Sequence, residues 1–427
     1  MKSEPVFHRE RCGRRTLGMM IAVSASLLVH LFFPAVSPAA SLSGDSRTYV
    51  QSRETQDNAK ILGGYEYLNF AVQNIGGKTI SFHTGGWLRY DLREAEFGGR
   101  SNSDLQYSYL SFKGKTDNTA VNLGRVMVFE GVAAERVDGI HARTDLAGGF
   151  GISGFGGSPV ETIIDAPGNN SIYGARLSHQ AGGVYRIGVS ALKEEKNSVD
   201  YRREEGVDVW AHPISKVDLA GRASYNDITK GWMEHSYVLM LGPFENLRLD
   251  THASAINYDD YFFRATISAF SLQAGIIQPG EKARILGETA SYAFTEKALI
   301  TADYRKFSYD IAGAADYYGG MLKYSAAGAG AGIGYHRMQG EADTLRYNEY
   351  RAYAYKKFGR LNAAVDVIDV EYDVPRSDVK DAYSGTLAAQ YALTDAWKLG
   401  ADVGYSHNPD FEKDIRAFFK ILYHFGA

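Results

Sequence analysis

Eleven charged side chains recur among polar or very small neighbours of the same strand parity: Arg89, Arg143, Arg176, Arg186, Arg222, Asp303, Arg305, Asp366, Lys398, Asp402 and Lys420. Fixed charges spaced along one face of a wet wall act on ions through their local field, and rings of them set which sign passes. Taken singly, such groups also serve to solvate a wall or to pair across strands. Arg125 is ambiguous: Val121 and Leu123 share its parity, whereas Val126 and Val128 do not. A bulge near Gly124 would turn it to the charged side. Two further acids, Glu161 and Asp165, lie in the long stretch 156–170 together with Pro159 and Pro167.

Spacings that support catalysis are missing. There is no G-x-S-x-G elbow and no H-E-x-x-H run. The stretch Gly149–Gly154 formally matches a dinucleotide fingerprint, but no strand–helix unit surrounds it to seat a pyrophosphate. It reads as small residues in a strand. Ser406-His407 lacks a neighbouring group to orient the imidazole. The single cysteine, Cys12, excludes a disulfide framework, a thiolate zinc site and a C-x-x-C-H haem attachment. No enzyme and no bound cofactor or metal is expected. A net charge of −4 without a basic cluster gives no sign of nucleic-acid binding.

The chain opens with Lys2, Arg9, Arg11, Arg14 and Arg15, then an apolar run from Leu17 to about Phe33, then Ser37-Pro38-Ala39-Ala40. This order is that of a cleavable export signal over residues 1–39. Cleavage would move the net charge from −4 to −7 and remove Cys12. A thiol-free product suits an oxidising periplasm.

Beyond the signal nothing nears eighteen consecutive apolar residues, so membrane helices are excluded. Instead, segments alternate with period two. Tyr383, Gly385, Leu387, Ala389, Tyr391 and Leu393 share one face; Ser384, Thr386, Ala388, Gln390 and Ala392 share the other. The same pattern runs through Ile80–Leu92, Val217–Tyr225, Leu361–Val367, Trp397–Tyr405 and Ala417–Phe425. Because strand side chains alternate sides, each segment has one greasy face and one polar or tiny face. Ten-residue alternating segments with aromatics near their ends are the pattern of transmembrane barrel strands.

Short turns at His212–Ser215, Gly242–Glu245, Thr295-Glu296, Phe358-Gly359 and Thr394-Asp395 alternate with longer polar stretches such as Lys193–Glu205 and Glu371–Asp381. Ser291–Asp303 and Gln390–Asp402 repeat one hairpin pattern. In hydrocarbon an unpaired backbone group costs several kcal/mol, so such a sheet must close on itself. The expected fold is all-β: a closed antiparallel transmembrane β-barrel of about 22 strands, within 18 to 24, built from residues 78–427. Residues 40–77 are expected as a periplasmic extension or plug.

The signal, the hairpin repeat and the aromatic last strand resemble those of bacterial outer-membrane porins. The resemblance implies an outer-membrane location in contact with lipid, a homo-oligomer as a candidate assembly, and passive passage of small polar solutes or ions past the eleven charged residues. It also implies that the stretch holding Glu161 and Asp165 folds inward as a constriction. A narrower resemblance is to the barrel subunits of porin–cytochrome conduits, carried by the large barrel and the Gly-Ala alternation of Gly328–Gly334. It implies multihaem cytochromes as partners and a non-catalytic sheath for electron transfer.

Overall fold

The computed structural model describes residues 40–54, 60–75, 79–93, 100–114, 116, 118–160, 170–261 and 280–426. The expected signal, 1–39, lies outside the described residues. Twenty-two strands form one sheet. The first ten are β1 (Ser41–Glu54), β2 (Lys60–Ile75), β3 (Ile80–Asp91), β4 (Ser101–Lys113), β5 (Thr119–Glu130), β6 (Ala133–Asp145), β7 (Phe150–Pro159), β8 (Asn170–Ala181), β9 (Tyr185–Lys196) and β10 (Val199–Ile214). The others are β11 (Val217–Asn226), β12 (Gly231–Phe244), β13 (Leu247–Asn257), β14 (Lys282–Thr295), β15 (Ala298–Tyr309), β16 (Gly313–Ala326), β17 (Ala329–Gly340), β18 (Arg346–Phe358), β19 (Leu361–Arg376), β20 (Val379–Ala392), β21 (Trp397–Asn408) and β22 (Phe411–Phe425).

Each strand pairs antiparallel with its neighbours in the chain, and β1 pairs with β22 from Gly44↔Phe425 to Ser52↔Ala417, which closes the cylinder. No sheet edge is left for another chain to extend, the condition a sheet must meet in lipid. The expectation for residues 40–77 is therefore corrected: β1 and β2 are wall strands, not an extension or plug. Their outward positions include Ser46, Thr48, Ser52 and Glu66, so the alternation that marks the other strands is absent there. The strand total agrees with the expected number, but two strands precede Lys78 and twenty follow it.

Directly paired residues share a face, which sorts the whole wall. Tyr391, Leu399 and Ile421 lie in one row, and Leu387 and Val403 in another. This face is strongly exposed: Leu387 is 62% accessible and Val403 54%. So much exposed apolar surface is what a wall surrounded by acyl chains presents. Among the acids at outward positions, Glu66 and Glu288 are satisfied by hydroxyls of the next strand. Glu66 accepts from Ser46 at 2.7 Å and from Thr48 at 2.6 Å; Glu288 accepts from Thr251 at 2.5 Å.

The expected short turns all fall at one rim, the rim that also holds Ser41 and Phe425. At the other rim several stretches expected as loops are strand instead. β9 and β10 run on to a two-residue turn at Asn197-Ser198, and β19 and β20 to Ser377-Asp378, each with positive φ at both positions. Such turns match the strands' twist. Their charges pair along and across the hairpin: Lys193 meets Glu195 of its own strand at 2.7 Å and Asp200 of β10 at 2.8 Å.

Candidate functional site

The end of the β5–β6 hairpin leaves the wall. β5 pairs with β4 only from Ala120 to Arg125, and β6 pairs with β7 only from Val137 onward, yet β5 and β6 stay paired out to Glu130↔Ala133. The departure occurs at glycine. Gly124 faces Gly139 across the ribbon, and Gly139 faces Gly157 on β7. Gly124 has φ +128°, which only glycine adopts freely. A Cβ on Gly139 would lie 2.1 Å from the Gly156 carbonyl oxygen. The strands thus approach more closely than any side chain allows.

Beyond this row the ribbon folds onto the polar face of the wall, which is therefore the inner face. The Val132 amide donates to Ser190 Oγ on β9 at 3.0 Å. The ribbon's near side carries Val126, Val128, Ala133 and Val137, none more than 3% exposed, packed with Phe155, Ile172 and Leu192 of β7, β8 and β9. Its far side carries Met127 and Phe129, exposed by 43% and 70%. Apolar side chains thus occupy both parities of the ribbon, one set packed on the wall and Met127 and Phe129 left exposed.

Ion pairs fix the ribbon. Arg202 on β10 donates to Glu135 on the ribbon at 2.7 Å and to Glu204 at 2.9 and 3.1 Å, and it stands 3.5 Å from Glu194. Glu130 near the tip meets His141 Nε2 at 3.2 Å. Where β4 loses its partner, Arg125 fills the gap: it forks onto Asp138 at 2.7 and 2.8 Å and donates to the Leu105 carbonyl at 3.0 Å. Arg136 pairs with Asp104 of β4. The ambiguity at Arg125 resolves without a bulge: β5 and β6 keep register throughout, and Arg125 keeps the parity of Leu123.

All eleven charged residues singled out from the sequence fall on the parity of Ser190, the inner face. Arg89 on β3 lies 3.4 Å from Asp91. Arg176 forks onto Asp208 at 3.0 and 2.6 Å, and Arg222 reaches Glu234 at 3.0 Å. Asp303 accepts from Thr289 at 2.7 Å and meets His336 at 3.3 Å. Arg305 lies over the Tyr317 ring, 6.0 Å from its centroid. Asp366 takes Arg351 at 2.8 Å, and Asp402 pairs with Lys420. Arg186 donates only to Gln180, and Arg143 and Lys398 make no ion pair among the described residues. Pairing therefore cancels much of the charge among the eleven and leaves these three, together with Arg305, as cations with no carboxylate partner among the described residues.

Glu161 and Asp165 lie outside the described residues. Gly156–Pro159, the start of their stretch, is wall strand β7. The inward element that is described is the preceding ribbon, which sequence reasoning missed; its signal was the apolar residues on both parities after Gly124. Gly149 belongs to a short turn and Phe150–Gly154 to β7, in keeping with a strand reading of that fingerprint. The Gly-Ala stretch of β17 is occupied by the protein's own rings. Tyr355 and Tyr353 of β18 lie across Gly330 and Gly332, where a Cβ would come within 2.6 and 2.4 Å of them.

No family model matches the chain, and no curated protein matches it. Among solved structures, the P pilus usher (PapC) translocation pore superposes over 90% of this chain and 99% of its own, with a TM-score of 0.53 and 7% identity. OccAB4 of Acinetobacter baumannii covers 92% and 100% at 0.46 and 10% identity, and OccK5 (OpdH) of Pseudomonas aeruginosa 92% and 99% at 0.45 and 12%. At such identities the PapC likeness speaks to fold alone. With the closed ladder, the apolar outer belt and the charged inner face, it makes this chain an all-β, 22-stranded integral barrel of the bacterial outer membrane.

Proposed function

We propose that the barrel is a porin-like channel for passive passage of small polar solutes or ions, narrowed by the β5–β6 ribbon. The observation that carries this reading is the ribbon itself: a hairpin drawn out of the wall and pinned across the inner face by Val132, Glu135 and an apolar pad. A barrel of 22 strands encloses a wide lumen. An inward ribbon reduces that opening while leaving a polar, hydrated route beside it. The open cations Arg143, Arg186 and Lys398 would favour anions near the short-turn rim, where all three lie within three residues of a strand end.

The sheath reading, in which a multihaem cytochrome fills the barrel, draws less support. Its sequence argument was the small-residue stripe of β17, and Tyr353 and Tyr355 already cover that stripe. A cytochrome would also have to displace the ribbon.

Reconstitution in planar bilayers tests the proposal. Discrete ion-conducting steps, with anion preference reduced in the combined Arg143→Gln, Arg186→Gln, Lys398→Gln variant, are expected. A reconstituted barrel that passes no ions and co-purifies with a haem protein would overturn it.

A further inference from the structure

Three cations on the outer face are left without an ion pair near one rim. β14 and β15 pair so that Arg284 opposes Ser308, Leu286 opposes Lys306, and Glu288 opposes Tyr304. Glu288 points to lipid, so Lys282, Arg284 and Lys306 point there too. Lys282 begins β14, and all three lie at the rim opposite the short turns. Rings mark their depth. Tyr304 opposes Tyr318 of β16, and both rings are exposed. Amphipathic rings on a lipid face settle at headgroup depth. Lys306 is two residues beyond Tyr304 toward the rim, and Arg284, opposite Ser308, is further out still. Other outward cations at this rim are spent: Lys193 on Glu195 and Asp200, Arg203 on Asp227 at 2.7 Å, and Arg337 on Asp373 at 2.6 Å. Lys282, Arg284 and Lys306 pair with no carboxylate among the described residues. Outward acids beside them are engaged: Asp316, opposite Lys306, accepts from the Tyr304 hydroxyl at 2.7 Å, and Glu288 accepts from Thr251. The stretch 262–279, which precedes β14 in the chain, holds no Asp or Glu and so brings no counter-charge.

We infer that Lys282, Arg284 and Lys306 bind the phosphate monoester of a glycolipid in the outward leaflet of the membrane. Longer connections face outward in barrels of this kind, which puts the three cations in that leaflet. Lys306 and Arg284 are diagonal neighbours on the ladder, about 7–8 Å apart at their backbones, and both side chains are long enough to close on one group between them. An arginine fork and two ammonium groups suit a phosphate monoester, with three free oxygens and a charge of about −1.5 to −2. A phosphodiester carries only one charge. Leu286 stands in the same row as Lys306 and is strongly exposed, so the phosphate and an acyl chain of one lipid meet the wall together. The inference rests on the seating of the barrel in the membrane and not on the channel reading.

Native mass spectrometry of the full barrel, released in detergent, tests this with diphosphoryl lipid A and phosphatidylcholine as probes. The wild type should keep lipid A and shed phosphatidylcholine. Arg284→Gln and Lys306→Gln should each weaken lipid A binding about fivefold, the size of one cation at an anionic membrane surface, and the triple variant with Lys282→Gln about a hundredfold. Lys356, on the same face at the short-turn rim, is the control: Lys356→Gln should leave binding unchanged. Heat-modifiable gel migration shows each variant to be folded. Should the triple variant not fold, Arg284→Gln against the charge-keeping Arg284→Lys decides, with the fivefold loss expected only in the first. Equal retention of phosphatidylcholine, undiminished binding in the neutralised variants, or an equal loss in Lys356→Gln overturns the site. Displacement of lipid A by inorganic phosphate at the same concentration also overturns it, since the ligand would then be a free anion.

Discussion

Gly124 lies directly across from Gly139 at the point where the β5–β6 ribbon turns into the lumen. Neither position has room for a side chain, because the carbonyls of Ser108 and Gly156 stand 2.4 and 2.1 Å from where a Cβ would be. The bend is therefore written as an absence of atoms, and adding one should undo it. Gly139→Ala is expected to cost about 1–3 kcal/mol, the usual penalty of overpacking, and to raise single-channel conductance as the ribbon loosens. Unchanged conductance in a folded Gly139→Ala barrel would contradict the hinge.

Arg202 compensates three carboxylates, Glu135, Glu194 and Glu204. Removing it leaves like charges side by side, and breaking a buried pair from one side costs about 3–5 kcal/mol. Arg202→Ala should release the ribbon tip, raise conductance and shift preference toward cations. Glu135→Gln, which removes only one acid, should do so weakly. Reversal potentials in a salt gradient read the difference.

Tyr353 and Gly332 fit as ring and socket across β17 and β18. Tyr353→Ala and Gly332→Ala should each lower the denaturation midpoint, by an amount near 0.5–1 kcal/mol for a cross-strand pair. The double variant should cost less than the two together, since the added methyl then meets no ring. Additive losses would show that ring and socket are independent.

Leu387 and Thr386 are adjacent but point to opposite sides. Leu387→Lys should destabilise the barrel by about 2–4 kcal/mol, as for a lysine facing lipid near mid-depth. Thr386→Lys, facing water, should cost little. Urea titration in lipid vesicles separates them, and equal costs would refute the assignment of the two faces.

The sequence shows this fold wherever one parity is greasy and the other is not, which holds from β3 onward for most strands. It fails at β1, where outward Ser46, Thr48 and Ser52 leave no contrast to read. It fails again at the ribbon, where Val126 and Val128 are buried against the wall while Met127 and Phe129 are exposed. Alternation reports a boundary between oil and water: the ribbon lies on none, and at β1 the outward Ser46 and Thr48 instead satisfy Glu66 of β2. The inner parity of Arg143, Arg176 and Asp402 was legible. Which of them keep a free charge was not, because the partners come from other strands of the wall: Asp208 of β10 reaches Arg176 of β8 across the intervening β9, 32 residues away in the chain.

Asp45 and His424 touch at 3.1 Å although 379 positions separate them along the chain. Every other strand pairing joins consecutive strands, so the sheet can zip progressively, but this last junction has no local nucleus. Until it forms, β1 and β22 each expose a raw hydrogen-bonding edge, the form of a strand most ready to pair with a stranger. Joining the two margins is therefore the late, topologically costly step of assembly, and the interval before it is when this polypeptide most needs to be chaperoned.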